Sequence, residues 1–476
     1  MDLIGKIKEI HYLEANFWKP HDKIEDIFSP LSALPHSVLL LSGSESDCSN
    51  YSFIGLDPYL VVRSYGDKIL LENGDGSLVG KITGNPFDEV QKILECLGSH
   101  ISTDRVPFYV GAMGYLGYDL RYQLERLPDI SPCDVDLPDL YLVFPSIIVC
   151  QEKRSGKYAV AVVEADGIGL ARECVTEKIE MLVQATKNWS NYLERLPAPI
   201  SKNAYSSSFT KKEYIQAIEK TRDYIKRGHI YQVNISQRFT FPFKGSEYVL
   251  FRKLFRNNPA SFYAYLNCKD FTVISTSPER FIFRKGDYIE TRPIKGTRPR
   301  GKTPQEDEEL RKELIESPKE DAELSMIVDL LRNDLGKICL PGTVKVKEHK
   351  RIEAYHNVFH LVSIVEGKLP CRYKHFDILK AMFPGGSITG CPKIRAMEII
   401  EEIEPVKRGI YTGSIGYFGF SDSMDLNIAI RTAVRKGNNL YLSVGGGIVY
   451  GSEPEAEYME TIHKGETFLR LLDQRA

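Results

Sequence analysis

The sequence predicts an α+β fold built on antiparallel β-sheet. Apolar runs with strand character and runs with helical periodicity follow one another in mixed order, without the strict βα alternation of a doubly wound sheet. Glycine-containing turns at residues 66–67 and 154–156 each separate two such runs, which predicts two β-hairpins. The paired runs are Leu60–Tyr65 with Lys68–Glu72, and Ser146–Cys150 with Tyr158–Val163.

The chain has 476 residues, enough for one large or two interlocked domains. Its best boundary candidate is the Pro- and Ser-rich stretch Pro197–Ser208. We therefore divide the chain into residues 1–200 and 201–476, with the two regions expected to interlock in one fold. The first region is expected to hold helices near Pro86–Leu97 and Ile168–Thr186.

The second region opens with a capping box formed by Thr210 and Glu213, and Gly228 can end the helix that follows. Further helices are predicted over Lys319–Leu335 and Pro454–Leu472. Strands are predicted at Val233–Phe241, Ser261–Leu266, Phe271–Thr276, Arg280–Thr291 with a turn at residues 285–287, Gly413–Phe420, Leu426–Val434 and Leu440–Val444.

Composition excludes several classes of function. A net charge of -2 gives no reason to expect a nucleic-acid partner, because proteins that bind nucleic acid use basic side chains to contact its phosphates. The nine cysteines include no C-x-x-C pair, which indicates thiols in a reducing cytoplasm. The N-terminus lacks the apolar run of a signal peptide, and Val38–Leu41 is far shorter than the roughly 20 residues that span a bilayer. We therefore expect a cytoplasmic protein without a membrane segment.

Two pairs of glutamates are candidates for metal binding. Glu320 with Glu323, and Glu457 with Glu460, are each spaced three residues apart near the start of a predicted helix, so each pair shares a helix face. Such carboxylates suit Mg²⁺, which prefers oxygen ligands. The same pattern also arises in helices without a metal, because the helix dipole favours acidic residues in any first turn.

Two glycine-containing segments can bind anions or simply shape the backbone. Gly445-Gly446-Gly447 follows a predicted strand, and its N–H groups can form a nest for a carboxylate or mark a bend. The stretch Pro384–Pro392 leads into a helix that Thr389 can cap, either as an anion site or as an ordinary loop. It is not a nucleotide-binding P-loop, because the spacing of that motif is absent.

Single residues of the second region offer acid–base or nucleophilic chemistry. Lys295, between Pro293 and Gly296, is either a solvated surface charge or a rigidly held amine, made neutral by burial or by the cations Arg292 and Arg298. Glu279 follows an apolar strand and can act as an acid when partly buried. Alternatives stay open for two further residues. His360 on an apolar segment fits a core residue, and Arg431 within Leu426–Val434 needs an anion, from a substrate or from a nearby Glu.

Taken together, these segments resemble the chorismate-binding enzymes. The resemblance covers residues 208–470 and extends loosely to Tyr51–Gly55 and Gly114–Asp119. It rests on the following runs: Glu323–Gly336 (ELSMIVDLLRNDLG), Ser387–Lys393 (SITGCPK) and Glu453–Thr461 (EPEAEYMET). The family includes the large subunits of anthranilate synthases and related synthases that aminate chorismate, together with isochorismate and salicylate synthases.

The resemblance implies two antiparallel sheets packed face to face with helices outside, as in anthranilate synthase component I. It implies a Mg²⁺ cofactor held by Glu323 and Glu460 with help from Glu320 and Glu457, and chorismate as substrate. Glu279 is then the acid that protonates the departing 4-hydroxyl, with His360 close to the ring. The residues implied to contact substrate are Gln232, Thr297, Thr389, Tyr411, Arg431, Gly445, Gly446, Gly447 and Lys464.

Three positions resemble one branch of this family more than others. Gln232 stands where water-adding members carry a lysine base, and an amide cannot deprotonate water. Lys295 lies in Pro-Ile-Lys-Gly-Thr, as in members that aminate carbon 4, whereas anthranilate synthases, which aminate carbon 2, read Pro-Ile-Ala-Gly-Thr. Leu40-Leu41-Ser42-Gly43 lacks the glutamate of the anthranilate synthase tryptophan site, so inhibition by tryptophan is not expected.

The expected reaction is formation of 4-amino-4-deoxychorismate through a covalent bond between Lys295 and the ring. Ammonia is expected from a separate glutaminase subunit, and a separate lyase would release 4-aminobenzoate for folate. Two alternatives stay open: an anthranilate synthase large subunit, and a non-catalytic homologue that binds chorismate and a glutaminase.

Overall fold

The computed structural model describes residues 7–43, 46–98, 108–165, 175–187 and 205–472. Within them lie 22 strands. The strands are β1 Ile7–Glu14, β2 Val38–Leu41, β3 Tyr51–Tyr65, β4 Lys68–Glu72, β5 Leu78–Thr83, β6 Gly111–Leu116, β7 Leu140–Glu152, β8 Tyr158–Ala165, β9 Ser206–Ser207, β10 Gln232–Pro242, β11 Phe262–Asn267, β12 Phe271–Ser277, β13 Arg280–Lys285, β14 Tyr288–Arg292, β15 Ile294–Pro299, β16 Lys345–Ala354, β17 Val358–Lys368, β18 Gly390–Cys391, β19 Ser414–Gly419, β20 Ser423–Asn427, β21 Thr432–Lys436 and β22 Asn439–Ile448.

The same residues hold ten α-helices, which are α1 Ile24–Ile27, α2 Pro86–Gly98, α3 Val175–Thr186, α4 Lys211–Lys226, α5 Glu247–Asn257, α6 Pro304–Glu316, α7 Pro318–Gly336, α8 His375–Met382, α9 Lys393–Ile403 and α10 Pro454–Leu472. Short 3₁₀ turns occupy Ser29–Leu31, Tyr118–Gln123 and Gly386–Ile388. None of the helices in these ranges is both long and apolar enough to cross a membrane.

All strand pairings in the described residues are antiparallel, and they form two sheets that share β3 and β7. One half of the β3–β7 pair continues into β2, β11, β12, β21, β22 and β10 on one side and β8 and β1 on the other. The other half continues into β4 and β5, and into β6, β19, β20, β13, β14 and β17. The register shifts between Pro58 and Leu60, where the two sheets part.

The two sheets pack face to face. One apolar cluster contains Val38 and Ala264 of the first sheet together with Met113 and Ile415 of the second, so it lies between them. A second cluster joins the second sheet to α2, α7, α8 and α9. A third joins the first sheet to α1, α3 and α5. This arrangement confirms the predicted α+β fold of two antiparallel sheets with helices outside.

Local sequence signals account for most element boundaries. The Gly66-Asp67 turn joins β3 to β4, and both predicted hairpins are confirmed. The capping box of Thr210 and Glu213 forms at the start of α4. Helices α2, α7 and α10 match their predictions closely. The helix predicted from Ile168 is described from Val175 onward, and its first residues lie outside the described ranges.

The two regions of the chain share both sheets. Strand β11 pairs with β2, and β19 pairs with β6, so strands from beyond residue 201 are hydrogen-bonded to strands from before it. Most of the boundary candidate Pro197–Ser208 falls in residues 188–204, outside the described residues.

Three local predictions were wrong. The run Leu426–Val434 is not one strand: β20 ends at Asn427, β21 begins at Thr432, and Arg431 between them has φ of 50°. Gly445–Gly447 forms neither a turn nor a nest, because β22 runs straight through it alongside β10. Thr389 does not cap α9, whose N-cap is Pro392; its hydroxyl instead donates to the carbonyl of Gly385.

Candidate functional site

The candidate site lies at an edge of β22 that its neighbouring strand leaves open. Strand β21 pairs with β22 only between residues 439 and 442, whereas β22 continues to Ile448 beside β10. The left-handed backbone of Arg431 diverts the chain before β21, and its carbonyl is held at 3.1 Å by the N–H of Thr276. Gly445 and Gly447, in the last part of β22, therefore present backbone groups that no described strand pairs on this side, whereas Gly446 pairs with Ile235 of β10.

The glycines of β22 make room for polar side chains on both faces of the sheet. A Cβ at Gly446 would lie 3.2 Å from Oε2 of Glu457, on the face that α10 covers. A Cβ at Gly447 would lie 2.4 Å from Nε2 of Gln232, on the opposite face. Successive residues of a strand point to opposite faces of the sheet, so the positions of Gly446 and Gly447 open onto opposite faces. Acidic groups therefore approach the open edge from one face, and an amide approaches it from the other.

Helix α10 brings the first acidic pair to this edge. Glu457 is buried, and burial raises its pKa, partly countered by a hydrogen bond with Ser452. Burial also acts on Glu460, but the ammonium of Lys464, 2.6 Å from Oε1, brings the pKa of Glu460 below its usual value. Lys464 also donates to the carbonyl of Gly445 at 2.9 Å. The predicted residues Glu457, Glu460, Lys464 and the glycines thus lie together.

Helix α7 brings the second acidic pair from the other side. Its N-cap, Ser317, accepts the N–H of Glu320, which fixes the first turn. Burial raises the pKa of Glu323, and the negative charges of Glu320 and Glu460 add to that rise. The charge of Glu460 acts on Glu323, so the two helices face each other at the site.

Cations already contact the carboxylates of α7. Nη1 of Arg298 lies 3.5 Å from Oε1 of Glu320, and Nζ of Lys319 lies 4.0 Å from Oε1 of Glu323. Within the described ranges, no three of the four predicted glutamates place ligand oxygens within 4.8 Å of one another. The structure therefore brings the two pairs to one site without closing them into a single ligand set.

Lys295, Glu279 and Ser387 form the centre of the site. Lys295 lies in β15, half-buried, with Nζ 3.5 Å from the carbonyl oxygen of Ser387. The Ser387 hydroxyl donates a 2.7 Å hydrogen bond to Glu279. Burial raises the pKa of Glu279, while the Ser387 hydrogen bond and the charge of Lys295 act in the opposite direction. A buried carboxyl with a raised pKa suits a proton donor.

The expected cationic neighbours of Lys295 are engaged elsewhere. Arg292 is paired with Glu290 and Asp47, and Arg298 with Glu313 and Glu320. The charge of Lys295 acts instead on three carboxylates, those of Glu279, Glu323 and Glu460. Lys295 therefore lies between the buried acid and the two acidic helices.

His360 is a neutral imidazole at the site. Burial, together with the positive charge of Arg431, lowers its pKa to about 3. Its Nδ1 lies 2.9 Å from Oγ1 of Thr297, and its ring contacts Tyr355 edge-on at 5.3 Å between centroids. At neutral pH this ring can donate or accept a hydrogen bond but carries no charge.

Arg431 has a guanidinium that no described side chain neutralises within ion-pair distance. Burial lowers its pKa, while Tyr263, Tyr355 and Glu279 act in the opposite direction. The predicted need for an anionic partner is therefore unmet by the described residues, so an anionic ligand fits this position.

The remaining predicted residues line the same region. Gln232 is buried beside Cys391 of β18. The carbonyl of Thr389 accepts the N–H of Asn234 at 2.8 Å. Tyr411 is buried against Arg408, which is paired with Glu404.

Ser387, Lys319 and Asn234 were missed as single residues by the sequence prediction. Ser387 lies inside a motif that the resemblance had identified, which was the available signal. No sequence signal indicated its contact with Glu279, which lies 108 residues away along the chain.

A cavity lies apart from the candidate site. It encloses about 780 Å³ between the sheets and is lined in part by Leu40, Leu41, Ser42, Arg280 and Glu290. None of the predicted catalytic or metal residues lines it.

Residues 41–470 match the family model described as chorismate binding enzyme. The chain is 37% identical over 474 residues to aminodeoxychorismate synthase component 1 of Bacillus subtilis (strain 168), covering 98% of this chain and 96% of the relative. It is also 37% identical over 432 residues to anthranilate synthase component 1 of Cereibacter sphaeroides, covering 88% and 85%. The crystal structure of anthranilate synthase component I from Streptococcus pneumoniae TIGR4 aligns with a TM-score of 0.76 at 30% identity, covering 89% and 93%.

Proposed function

The chain belongs to the family of chorismate binding enzymes, and on that premise we propose that it is component 1 of an aminodeoxychorismate synthase. It would replace the 4-hydroxyl of chorismate with an amine. The observation that carries the proposal is the position of Lys295, half-buried between Glu279 and the acidic helices, with Nζ 3.5 Å from the Ser387 carbonyl. A lysine held in such a place is suited to bond with a ring bound at the open edge of β22.

The proposed chemistry uses two displacements. The amine of Lys295, once it has given up its proton to solvent, adds to C2 of chorismate, the ring double bonds shift, and the C4–O bond breaks. Glu279 gives its proton to the departing oxygen, which leaves as water. Ammonia then adds at C4, and the lysine nitrogen departs from C2 with its bonding electron pair. Covalent catalysis of this kind divides one difficult substitution into two easier ones.

The charged groups around the open edge suit a substrate with two carboxylates. Arg431 offers an unneutralised guanidinium, and β22 offers the backbone N–H groups of Gly445 and Gly447. Lys464, already near Gly445, and Tyr411 complete the proposed contacts. His360, uncharged above pH of about 3, would lie by the ring without repelling Arg431.

The acidic pairs fit Mg²⁺. The donors are carboxylates, and the pKa values of Glu323 and Glu457 are raised by burial and by neighbouring carboxylates, so a cation would relieve their repulsion. Glu323 and Glu460 would hold the ion, with Glu320 and Glu457 assisting. When bound, Mg²⁺ supplies positive charge that attracts the ring carboxylate.

Ammonia would come from a separate glutaminase subunit, since relatives of this chain are named component 1. A cytoplasmic location and a role in supplying 4-aminobenzoate for folate belong to the same proposal. The second candidate is an anthranilate synthase component, because relatives with that name have similar sequence identity, although they cover 88% and 81% of this chain. A chorismate-binding homologue without activity is the more distant alternative.

Product identification tests the proposal. The purified chain would be incubated with chorismate, Mg²⁺ and ammonium chloride, and the products separated by chromatography. We expect 4-amino-4-deoxychorismate. Anthranilate as the main product would favour the second candidate, and no turnover with free ammonia would favour the non-catalytic alternative.

A further inference from the structure

A histidine and two glutamates lie together at one end of the β1–β8 pair, apart from the proposed catalytic and Mg²⁺ residues. Glu9 and His11 belong to β1, and Glu164 lies near the end of β8. Glu9 is directly opposite Glu164 in the register, and His11 follows Glu9 by two residues, so all three side chains share one face of the sheet. One nitrogen or oxygen atom from each side chain lies within 4.8 Å of the other two.

The distances between these atoms match the ligands of a single metal ion. Nε2 of His11 lies 3.3 Å from Oε1 of Glu164 and 3.8 Å from Oε2 of Glu9. Zinc lies about 2.0–2.1 Å from ring nitrogens and carboxylate oxygens, so two ligands of a tetrahedral zinc ion are about 3.4 Å apart. The three side chains could therefore hold one ion with little rearrangement.

The ring nitrogen has no other use in the described part of the chain. Nε2 of His11 is buried and makes no hydrogen bond, so neither contact with the carboxylates is one. A buried ring nitrogen without a partner costs free energy, and a bound ion would supply that partner. The side chains of Glu9 and Glu164 are 66% and 46% exposed, which leaves the outer side of the cluster accessible to ions from solvent.

We infer that Glu9, His11 and Glu164 form a zinc site that cross-links β1 to β8. An imidazole nitrogen is a good ligand for zinc, whereas Mg²⁺ and Ca²⁺ select oxygen ligands alone. The two carboxylates balance the charge of the ion, and three protein ligands leave a fourth position for water. The inference goes beyond the proposed function and does not depend on it.

A cross-link at this place would act on a strand that is held from one side. Among the described strands, β1 pairs with β8 alone. Edge strands of this kind can open locally without unfolding the rest of a protein. An ion that binds the paired strands and not the separated ones stabilises the pairing, so zinc should slow the opening of β1.

The first test titrates zinc into the purified chain in competition with a chromophoric chelator. Excess Mg²⁺ is included so that zinc is not bound by the carboxylates of α7 and α10. His11→Ala should raise the dissociation constant for zinc at least tenfold, because the change of even an indirect partner of a metal site costs about 10- to 100-fold in affinity. Glu164→Gln should weaken zinc binding in the same way. His21→Ala, which removes an exposed histidine from the turn before α1, is the matched control and should bind zinc as wild type does.

The second test measures amide hydrogen exchange across Ile7–Glu14 by mass spectrometry, with and without zinc. Zinc should slow exchange in this segment of the wild type and leave it unchanged in His11→Ala. Absence of zinc binding under excess Mg²⁺, or binding that His11→Ala does not weaken, would overturn the site. Exchange that zinc does not alter in the wild type would overturn the cross-link. Neither measurement involves chorismate, so failure of this inference and failure of the proposed function are distinguishable.

Discussion

Ser387 donates a 2.7 Å hydrogen bond from its hydroxyl to Oε1 of Glu279, across 108 residues of sequence. The carbonyl oxygen of the same serine lies 3.5 Å from Nζ of Lys295. One residue therefore contacts both the proposed acid and the proposed nucleophile. Ser387 is the middle residue of the short 3₁₀ turn Gly386–Ile388, and this position directs its hydroxyl to Glu279 and its carbonyl to Lys295.

Replacing Ser387 with alanine should move the pH dependence of catalysis. The serine hydrogen bond stabilises the charged form of Glu279, so its loss should raise the pKa of that carboxyl further. An acid works in its protonated form, so activity should persist to higher pH in Ser387→Ala. The check is the high-pH limb of the kcat/KM profile. Ser155→Ala, which removes an exposed serine–glutamate contact, should leave that limb in place.

Lys295→Ala should lower formation of the 4-amino product by about a hundredfold or more, because the first displacement loses its nucleophile. Chromatographic quantification of product from chorismate, Mg²⁺ and ammonia measures the effect. Lys302→Ala removes an exposed lysine and serves as the control. Unchanged amination at C4 would reject the nucleophile role of Lys295.

Removing Mg²⁺ with a chelator should abolish activity, and added Mg²⁺ should restore it. Glu323→Gln and Glu460→Gln should each raise the Mg²⁺ concentration for half-maximal activity by about tenfold or more, since each removes a charged oxygen ligand. Titration of activity against Mg²⁺ gives this value. Glu316→Gln, at the exposed end of α6, should behave as wild type. A requirement that does not change in either variant would contradict the proposed ligand set.

Gly447→Ala should weaken substrate binding without unfolding the chain. The added Cβ would stand 2.4 Å from Nε2 of Gln232, which must then move out of its buried position. We expect the KM for chorismate to rise about tenfold, measured by steady-state kinetics. Gly451→Ala is the matched control, because a Cβ there meets nothing within 4 Å. Equal kinetics in the two variants would show that the amide position does not matter.

His36 should make the fold less stable in acid. Burial, with the nearby charges of Arg63 and Lys269, lowers its pKa to about 4. Between that value and the ordinary pKa of about 6.5, the unfolded chain binds the proton and the folded chain does not. The free energy of unfolding should therefore fall as pH drops through this window, with His36 contributing about 3 kcal/mol.

Denaturant unfolding from pH 7 to pH 4 checks this slope. His36→Asn tolerates the positive φ of 62° at this position and should flatten the decline. His356→Asn removes an exposed histidine and should not alter it. An equally steep decline in His36→Asn would rule out this histidine as the cause.

The sequence by itself determined the local secondary-structure elements and which residues belong to the candidate site. Hairpin turns, the capping box at Thr210 and the paired glutamates of α7 and α10 are set by spacings of two to four residues, so they can be recognised without a structure. The runs Glu323–Gly336 and Glu453–Thr461 likewise identified the family and the acidic groups. In each case the information lies within one short segment.

Only the tertiary structure decided how these pieces meet. The left-handed residue Arg431 turned one predicted strand into two, and the resulting open edge of β22 is what gathers Gln232, Asn234 and the glycines. The link between Ser387 and Glu279 was equally invisible in sequence. Such contacts join residues more than a hundred positions apart. They depend on how two sheets share β3 and β7 and pack against each other, which no local spacing encodes.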